Sequence, residues 1–323
     1  MKNYIQNNFL PEVIKVTQEL NLDYELIKDD ANDKFSEIES LEKFSQLKTL
    51  KINNHNILKI NKLENLSSLV HLEISHNGIQ RIEGLESLKK LKTLDLSFNE
   101  ILRLENLEHL TDLEHLIMTH NRIKKIENIS SLHHLKTLHL SSNRGINCIE
   151  NLNHFPFLES LYLKNCLISE WDGLVSAENL KELFISPREK IETGVLSKLK
   201  NLKILHISSR ELSHINSFLE MPTLEELTVN GCWYLTKISG LEKLNDLRKL
   251  KMVSNNLTDI SGLHPLQNLE VLDLKMNGIR NIEILRKGFL SLKKLILSGN
   301  PLEKSQLKIL NELKERGVEV LHS

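Results

Sequence analysis

The chain has 323 residues, of which 40% are hydrophobic and 26% are charged, an ordinary balance for a water-soluble protein. The formal net charge of −1 excludes a general attraction to nucleic acid or to anionic membranes. Aromatic residues make up only 5%, so the core is expected to consist mainly of leucine and isoleucine.

The termini and the cysteines bear on the cellular location. No apolar run approaches the length of about 18 residues that spans a bilayer, and the first residues contain neither a long apolar stretch nor a small-residue cleavage site. The three cysteines, Cys148, Cys166 and Cys232, have no paired spacing. These features predict a cytoplasmic protein, and an effector delivered into the cytosol of another cell would share them.

Residues 1–46 are predicted to form an N-terminal helical cap with a half-repeat. Pro11 suits the first turn of a helix. The apolar face of this helix is predicted to comprise Val13, Ile14, Val16, Thr17 and Leu20. The half-repeat is expected to cover the open end of the core, because an uncovered end would expose apolar residues and a strand edge. Its core residues are Ile38, Leu41 and Phe44.

Residues 47–300 contain a repeated phrase, of which Leu91–Asp112 (LKTLDLSFNEILRLENLEHLTD) is a clear copy. Leucine occupies places 1, 4 and 6, asparagine place 9 and isoleucine place 11, and apolar residues follow at places 14, 17 and 20. One copy cannot bury its apolar residues alone, so the array predicts a stacked solenoid. Twelve copies, 22 or 23 residues apart, begin at Leu47, Leu69, Leu91, Leu113, Leu135, Leu158, Leu180, Leu202, Leu224, Leu247, Leu269 and Leu292.

The phrase LxxLxLxxNxIxxIxxLxxLxx resembles the leucine-rich repeat, specifically the short 22-residue type of the Sds22-like class and of bacterial internalins. The resemblance implies an α/β, right-handed solenoid with a parallel β-sheet on the concave face and 3₁₀ or irregular turns on the convex face. The residues agree, since Leu94 and Leu96 alternate with polar residues as in a strand with one buried face. The three-residue spacing that follows indicates 3₁₀ turns.

Place 9 predicts a ladder of asparagine side chains, in which each amide bonds to neighbouring turns. Cysteine can stay buried in such a ladder, so Cys166 and Cys232 are predicted to be structural. A buried arginine without a partner is costly, so the copies with Arg188 and Arg210 at this place are expected to loop outward and to be irregular. Both arginines are predicted to belong to the partner-binding site. The first copy has His55 there.

Residues 301–323 are predicted to form a C-terminal helical cap, with both caps and the array in one continuous domain. Pro301 ends the last strand-turn phrase, Ser305 suits the N-cap of a helix, and Gly317 suits its left-handed end. Residues 318–321 are predicted to add a final strand. The helix is predicted to bury Leu307, Leu310 and Leu313.

Places 3, 5, 7 and 8 are expected to face solvent on the concave side, where the fold itself requires no aromatic residue. Exposed rings within a charged rim are typical of a protein-binding hot spot, although cross-strand packing alone would also account for them. Phe98 and His120 lie at place 8, beside a column at place 5 that extends about 19 Å at ~4.8 Å per strand. The column comprises Ile117, His139, Tyr162, Phe184 and His206.

Trp233 and Tyr234 accompany the extra residue of the ninth copy, either as a bulged turn that fills space or as an exposed aromatic ridge. The histidines predict no metal site, because equivalent residues two strands apart are separated by roughly 9–10 Å. His115 and His139 are diagonal neighbours, but no third ligand is evident. Several histidines in one interface would instead make binding depend on pH between about 5 and 7.

The sequence predicts a non-enzymatic interaction module that binds a protein partner on the concave face, because it contains no HExxH, P-loop, GxSxG or Gly-rich dinucleotide motif. We expect no cofactor, no nucleic-acid or membrane partner, and a monomer. One alternative is a bacterial effector or toxin-neutralising protein that inhibits an enzyme. The Sds22-like class implies another, a phosphatase-regulatory subunit, whose acidic and aromatic face is echoed by Glu73, Asp95, Tyr162, Glu182, Phe184 and Glu226.

Overall fold

A computed structural model describes residues 1–27, 34–187, 193–215 and 221–322. The chain divides into two compact units, Met1–Ala177 and Glu178–Ser323. In each unit, short parallel strands follow one another in chain order, and turns lead from the end of one strand to the start of the next. The predicted fold class, an α/β solenoid with a parallel sheet and mostly short or irregular turns, is confirmed.

The first unit contains most of the regular repeats. Its helices are α1 (Lys2–Asn8), α2 (Pro11–Val16) and α3 (Tyr24–Ile27), with 3₁₀ helices at Leu152–His154 and Asp172–Ser176. Its strands are β1 (Glu19–Asn21), β2 (Thr49–Lys51), β3 (His71–Glu73), β4 (Thr93–Asp95), β5 (His115–Ile117), β6 (Thr137–His139) and β7 (Ser160–Leu163). Neighbouring strands pair in register, so equivalent repeat places lie side by side.

The second unit begins with longer strands and ends with a helix. Its strands are β8 (Glu182–Ile185), β9 (Ile204–Ser208), β10 (Glu226–Asn230), β11 (Lys249–Lys251), β12 (Val271–Asp273), β13 (Lys294–Ile296) and β14 (Glu319–Leu321). Its helices are α4 (Thr193–Leu196) and α5 (Leu307–Glu315), with 3₁₀ helices at Ser261–Leu263, Glu283–Arg286 and Lys304–Gln306.

The apolar places of the repeat form the core of each unit. In the copy that begins at Leu91, the side chains at places 1, 4, 6, 11, 14, 17 and 20 are all fully buried. The returning segment turns in three-residue steps, as predicted, because the N–H of Leu91 donates to the carbonyl of Leu88 at 3.0 Å. Trp171 is also buried, as expected for its core place.

Asparagine at place 9 connects each repeat to the one before it. The Oδ1 atom of Asn99 accepts the N–H of Ile79 at 3.0 Å, and its Nδ2 donates to the carbonyl of Ile74 at 2.9 Å. Asn121 and Asn277 form the same two contacts with their preceding repeats. The predicted ladder is confirmed, and it satisfies backbone groups that have left the sheet.

Two cysteines take over part of this role. Cys166 is buried, and its Sγ lies 3.3 Å from the carbonyl of Leu140, which occupies place 6 of the preceding repeat. Cys232 is also buried, and burial raises the pKa of each thiol to about 11. Both residues are therefore structural, as predicted.

The N-terminal segment differs from the sequence prediction in two respects. Val13 and Val16 are exposed, and of the predicted helix face only Ile14 is buried within α2. Leu20 does not belong to the helix, because it lies in β1, which pairs with β2. Together with buried Leu22 and the buried residues of the predicted half-repeat, β1 supplies the core places of an additional repeat.

The C-terminal segment agrees with the prediction in its elements and differs in its helix. β14 pairs with β13, and Gly317 has a φ of 86°, as expected for a left-handed helix end. Leu307 is largely exposed, and Ile309 is buried together with Leu310 and Leu313. Ser305 does not cap α5, because a 3₁₀ turn precedes the helix and places Gln306 at the N-cap.

Place 8 of the repeat adopts the left-handed backbone conformation in most copies, with φ of 53° at Phe98 and 52° at His120. Asparagine, serine or glycine occupies this place in other copies, and these small residues suit positive φ better than a ring does. The sequence alone did not reveal this turn. The left-handed turn directs the place 8 side chains away from the line of the strand, where the chain begins to return.

Candidate interaction surface

The side chains at places 3 and 5 form the solvent side of the strands, and with those at place 8 in the following turn we call them the strand face. Place 7 was also predicted to face solvent, but it is buried at Ser97, Thr119 and Ser141. Along β2–β7 this surface is rich in hydroxyl groups and histidine. The central place 5 residues of β5, β6 and β7 are Ile117, His139 and Tyr162, and all three are half-buried. The register places His139 directly between the other two.

His139 and Tyr162 form a ring pair on neighbouring strands, with centroids 4.5 Å apart and planes tilted by 38°. Burial lowers the pKa of His139, since it disfavours the imidazolium form, and His120 acts in the same direction. Asp95 opposes this shift without cancelling it. The pair is therefore an uncharged ring contact at neutral pH.

A second group of rings lies at place 8 of three consecutive repeats. Phe98 stands between His76 and His120, with centroid distances of 4.0 and 4.1 Å and interplanar angles of 15° and 9°. Phe98 remains 41% exposed. We call these three residues the ring stack. The sequence predicted Phe98 and His120 as surface residues of the interaction site, but it did not predict that His76 stacks with them.

The strand face of the second unit has a comparable pair. Phe184 on β8 and His206 on β9 are paired in register, with ring centroids 4.9 Å apart and planes tilted by 47°. Both are half-buried. Thr228 on β10, the next residue at place 5, is buried. The column predicted from the sequence is thus present within each unit as a pair of aromatic and imidazole rings.

Trp233 and Tyr234 form an exposed ridge in the second unit, and of the two sequence interpretations the structure supports this one. Their side chains are 56% and 61% exposed, while Leu235 fills the core place next to them. The guanidinium of Arg210 lies 5.0 Å from the centre of the Trp233 ring, a cation–π distance. Arg210 is exposed, as expected for its outward turn, whereas Arg188 lies outside the described residues.

Acidic groups of the strand face are bonded within the protein. Lys51 lies 3.0 Å from Glu73, and Lys251 lies 2.7 Å from Glu226. Asp95 accepts the backbone N–H of Ser97 at 2.8 Å. The two lysine contacts reduce the net negative charge that the sequence had suggested for this surface.

The described residues contain no group of three or more histidine, cysteine or acidic side chains placed to hold a metal ion. His115, which the sequence placed next to His139, instead contacts Thr137 through its Nδ1 at 3.0 Å. Within the same described ranges, no helix is long and apolar enough to cross a membrane.

Comparison with known proteins identifies the architecture. A family model for leucine-rich repeats, in two copies, matches residues 67–110 and 111–154. An internalin, InlF of Listeria monocytogenes, is 22% identical with a TM-score of 0.70, over 84% of this chain and 78% of that one. Residues 67–154 thus match the leucine-rich repeat family, and the chain has the leucine-rich repeat fold. No curated protein sequence matches it significantly.

Other leucine-rich repeat structures share the fold at low sequence identity. The leucine-rich repeat domain of APL1B is 20% identical with a TM-score of 0.65, over 100% of this chain and 92% of that one. A chain of the Drosophila Toll–Spatzle complex is 17% identical with a TM-score of 0.69, over 98% of this chain and 46% of that one. Leucine-rich repeat proteins are typically non-enzymatic interaction scaffolds.

One regular feature of this leucine-rich repeat chain was missed by the sequence analysis. Place 2, just before each strand, carries charges that alternate in sign over two runs of repeats, from Lys92 to Lys181 and from Lys203 to Lys293. Glu114 accepts hydrogen bonds from Lys136 at 2.6 Å and from Lys92 at 2.8 Å. Similar bonds join Arg248 and Lys293 to Glu270. Comparing place 2 across copies would have shown the alternation.

Proposed function

We propose that this protein is a non-enzymatic scaffold that binds another protein on its strand face. The observation that carries the proposal is the grouping of rings on a surface that the fold does not require to be aromatic. The His139–Tyr162 pair and the ring stack lie in the first unit, and the Phe184–His206 pair lies in the second. Aromatic residues are enriched in binding hot spots because they contribute a large contact area at low entropic cost.

The Toll–Spatzle complex and the LRIM1/APL1C complex, two of the structures with this fold, support the proposal because each contains more than one protein. The likeness extends to the fold, so the partner of this chain has to be found by experiment. The exposed ridge of Trp233 and Tyr234, with Arg210 beside it, offers a further contact surface of the residue types that dominate hot spots.

The phosphatase-regulatory alternative gains no support from the geometry. It rested on acidic residues among the aromatic ones, and Glu73 and Glu226 are neutralised by lysine partners. No specific observation favours the effector alternative either, since the likeness to InlF at 22% identity concerns the fold. We therefore propose the general scaffold and no narrower class.

The test is affinity capture with mass spectrometry, followed by titration of the captured partner against purified variants. Tyr162→Ala and Phe184→Ala together are expected to cost about 2–4 kcal/mol of binding free energy if both are hot-spot residues. Phe157→Ala is the matched control, because this ring is 55% exposed but lies outside the strand-face places. Unchanged affinity of the double variant, with its circular dichroism intact, would remove the proposal.

We also propose that the protein works in a reducing compartment, as expected for a cytoplasmic location. Cys148, Cys166 and Cys232 are free thiols, and the last two are buried in ladder places. Oxidation of these two would remove them from the contacts that they make in the ladder. Cell fractionation combined with mass spectrometry of the thiol state would test this location.

A further inference from the structure

His55 occupies a special position in the ladder, at the junction between the N-terminal repeat (residues 17–27 and 34–46) and the rest of the first unit. Its side chain is only 3% exposed. Its Nδ1 lies 3.1 Å from the backbone nitrogen of Phe35, and its Nε2 lies 2.6 Å from the carbonyl oxygen of Leu22. Both of these partners belong to the N-terminal repeat.

The two contacts determine the protonation state of the ring. The N–H of Phe35 is a donor, so Nδ1 has to accept, while the carbonyl of Leu22 accepts, so Nε2 has to carry the proton. His55 is therefore bound as the neutral Nε2–H tautomer. In this form His55 makes the same two bonds as the ladder asparagine Asn77. Each accepts the backbone N–H at place 11 of the preceding repeat and donates to the backbone carbonyl at place 6 of that repeat.

Aromatic packing holds the ring in place. Phe35 stacks on the His55 ring with centroids 4.3 Å apart and an interplanar angle of 13°, and Tyr24 meets it edge-on at 5.9 Å. These two residues also come from the N-terminal repeat. One imidazole thus connects this repeat to the solenoid through two hydrogen bonds and two ring contacts.

The charged groups that act on His55 among the described residues are Lys34, Asp23 and the chain's amino terminus. Burial is the largest influence and lowers the pKa of His55, and the positive charges of Lys34 and the amino terminus lower it further. The bond to Leu22 and the Asp23 carboxylate act in the opposite direction. Asp23 is already engaged, because its Oδ1 accepts the N–H of Asn53 at 2.8 Å.

We propose that His55 is a pH-dependent latch, which holds the N-terminal repeat while its ring is neutral and releases it when the ring takes up a second proton. The proton comes from solvent and binds Nδ1, whose lone pair the N–H of Phe35 otherwise uses. Two donors then face each other, the bond to Phe35 is lost, and a buried charge is created. Both changes favour an opened state in which the ring is solvated.

The direction of the pH effect follows from the lowered pKa. The stabilisation that neutral His55 gives to the closed N-terminal repeat is complete above 6.5, the ordinary pKa of histidine. It is lost as the pH falls below that value. Until the pH reaches the folded-state pKa, each further unit raises the ratio of opened to closed N-terminal repeat by up to about tenfold. The ladder places of the remaining repeats hold asparagine, cysteine or arginine, none of which takes up a proton as the pH falls below 6.5 in this way.

Native-state hydrogen exchange of the full chain tests the latch, with rates corrected for intrinsic exchange. Protection of the Phe35 amide is expected to fall by up to about tenfold per pH unit below 6.5. The amide of Ile57 is the internal control, since it makes the equivalent bond to Asn77 at 3.0 Å. Its protection is expected to stay constant over the same range.

His55→Asn is the decisive variant, because asparagine provides both hydrogen-bonding roles without titrating, and it is expected to abolish the response. His133→Asn, at an exposed site, is the matched control and is expected to retain it. Equal pH dependence of the Phe35 and Ile57 amides in the wild type would overturn the proposal, as would a response that persists in His55→Asn. The wild-type comparison decides the question even if the variant does not fold.

Discussion

Each ladder asparagine uses both ends of its amide in the interior of the solenoid. Asn99 is 7% exposed, and its amide bonds to backbone groups of the preceding repeat and of its own turn. Shortening this side chain would leave a buried N–H and a buried carbonyl without partners, and such groups are costly to desolvate. The ladder therefore has a larger effect on stability than its few polar atoms suggest.

Asn99→Ala is expected to lower the free energy of unfolding by about 2–4 kcal/mol, as two buried backbone groups lose their partners. Urea denaturation followed by circular dichroism provides the measurement. Asn56→Ala serves as the control, because Asn56 is exposed in the same kind of turn, and its change should stay within about 0.5 kcal/mol. Similar losses in the two variants would contradict this account of the ladder.

The ring stack shows a different balance at the residue scale. Phe98 holds a φ of 53°, a conformation that bulky side chains rarely adopt. The contacts with His76 and His120 compensate for this backbone cost within the folded chain. The pattern of apolar places could not reveal the stack, because place 8 lies outside the core. A ring at this place also gives no indication in the sequence that the backbone there is left-handed.

At the scale of the elements, the repeat phrase accounts for nearly every strand. The places of buried leucine determined where β2–β13 begin, since one face of each strand has to be covered. β1 was missed because Leu20 follows an apolar helical pattern, and pairing with β2 outweighs that local preference. Ser305 was misassigned as a cap for a similar reason, as a 3₁₀ turn shifts the helix start.

Ion pairs between strands add an element-scale contribution at place 2. Hydrogen bonds from Lys136 and Lys92 lower the pKa of Glu114 to about 2. Because the folded-state pKa is lowered, the stabilisation is present above the ordinary value of 4.5 and is lost as the pH falls from there towards 2. These bonds also fix the register of β4, β5 and β6 at their starting edge.

Glu114→Gln is expected to reduce stability at pH 7 by about 1 kcal/mol or less, as is usual for solvent-accessible ion pairs. The difference from the wild type should shrink in high salt and also as the pH falls from 4.5 towards the folded-state pKa of about 2. Thermal unfolding at several pH values measures this. Glu108→Gln, on an exposed turn, is the control, and a constant difference across the pH range would rule out the explanation.

At the scale of the whole molecule, a solenoid is stabilised mainly by contacts between neighbouring repeats. Leu116 is fully buried on β5 of the first unit, and Leu272 is fully buried on β12 of the second. A cavity at either place weakens the repeats beside it most. The resulting loss of stability can be measured in each unit separately.

Leu116→Ala is expected to cost about 2–5 kcal/mol and to reduce hydrogen-exchange protection mainly within the first unit. Leu272→Ala should show the reciprocal pattern, with the loss mainly in the second unit. Exchange measured by mass spectrometry with peptide resolution distinguishes the two patterns. If each variant instead lowered protection equally in both units, the chain would unfold as one cooperative body and this expectation would be wrong.

The sequence determined the architecture of the molecule more completely than its binding surface. Leucine periodicity specifies buried places, so the solenoid follows from one strong physical requirement. The candidate site depends on how neighbouring rings pack, for example His139 against Tyr162, and on which acidic groups have partners, such as Glu73. Those relations join residues about one repeat apart. The repeat pattern predicts their register, but it does not specify how the side chains pack or pair.

A side chain belongs to the ladder because of the hydrogen bonds that it makes, and residues other than asparagine can make them. Related repeats can therefore lack the asparagine. His55 satisfies the same backbone groups as asparagine does, and Cys166 satisfies one of them. The family model matches residues 67–154, where asparagine fills this place in four successive copies. A profile that scored any side chain able to accept from place 11 or to donate to place 6 would extend the match to the copies that begin at Leu47 and Leu158.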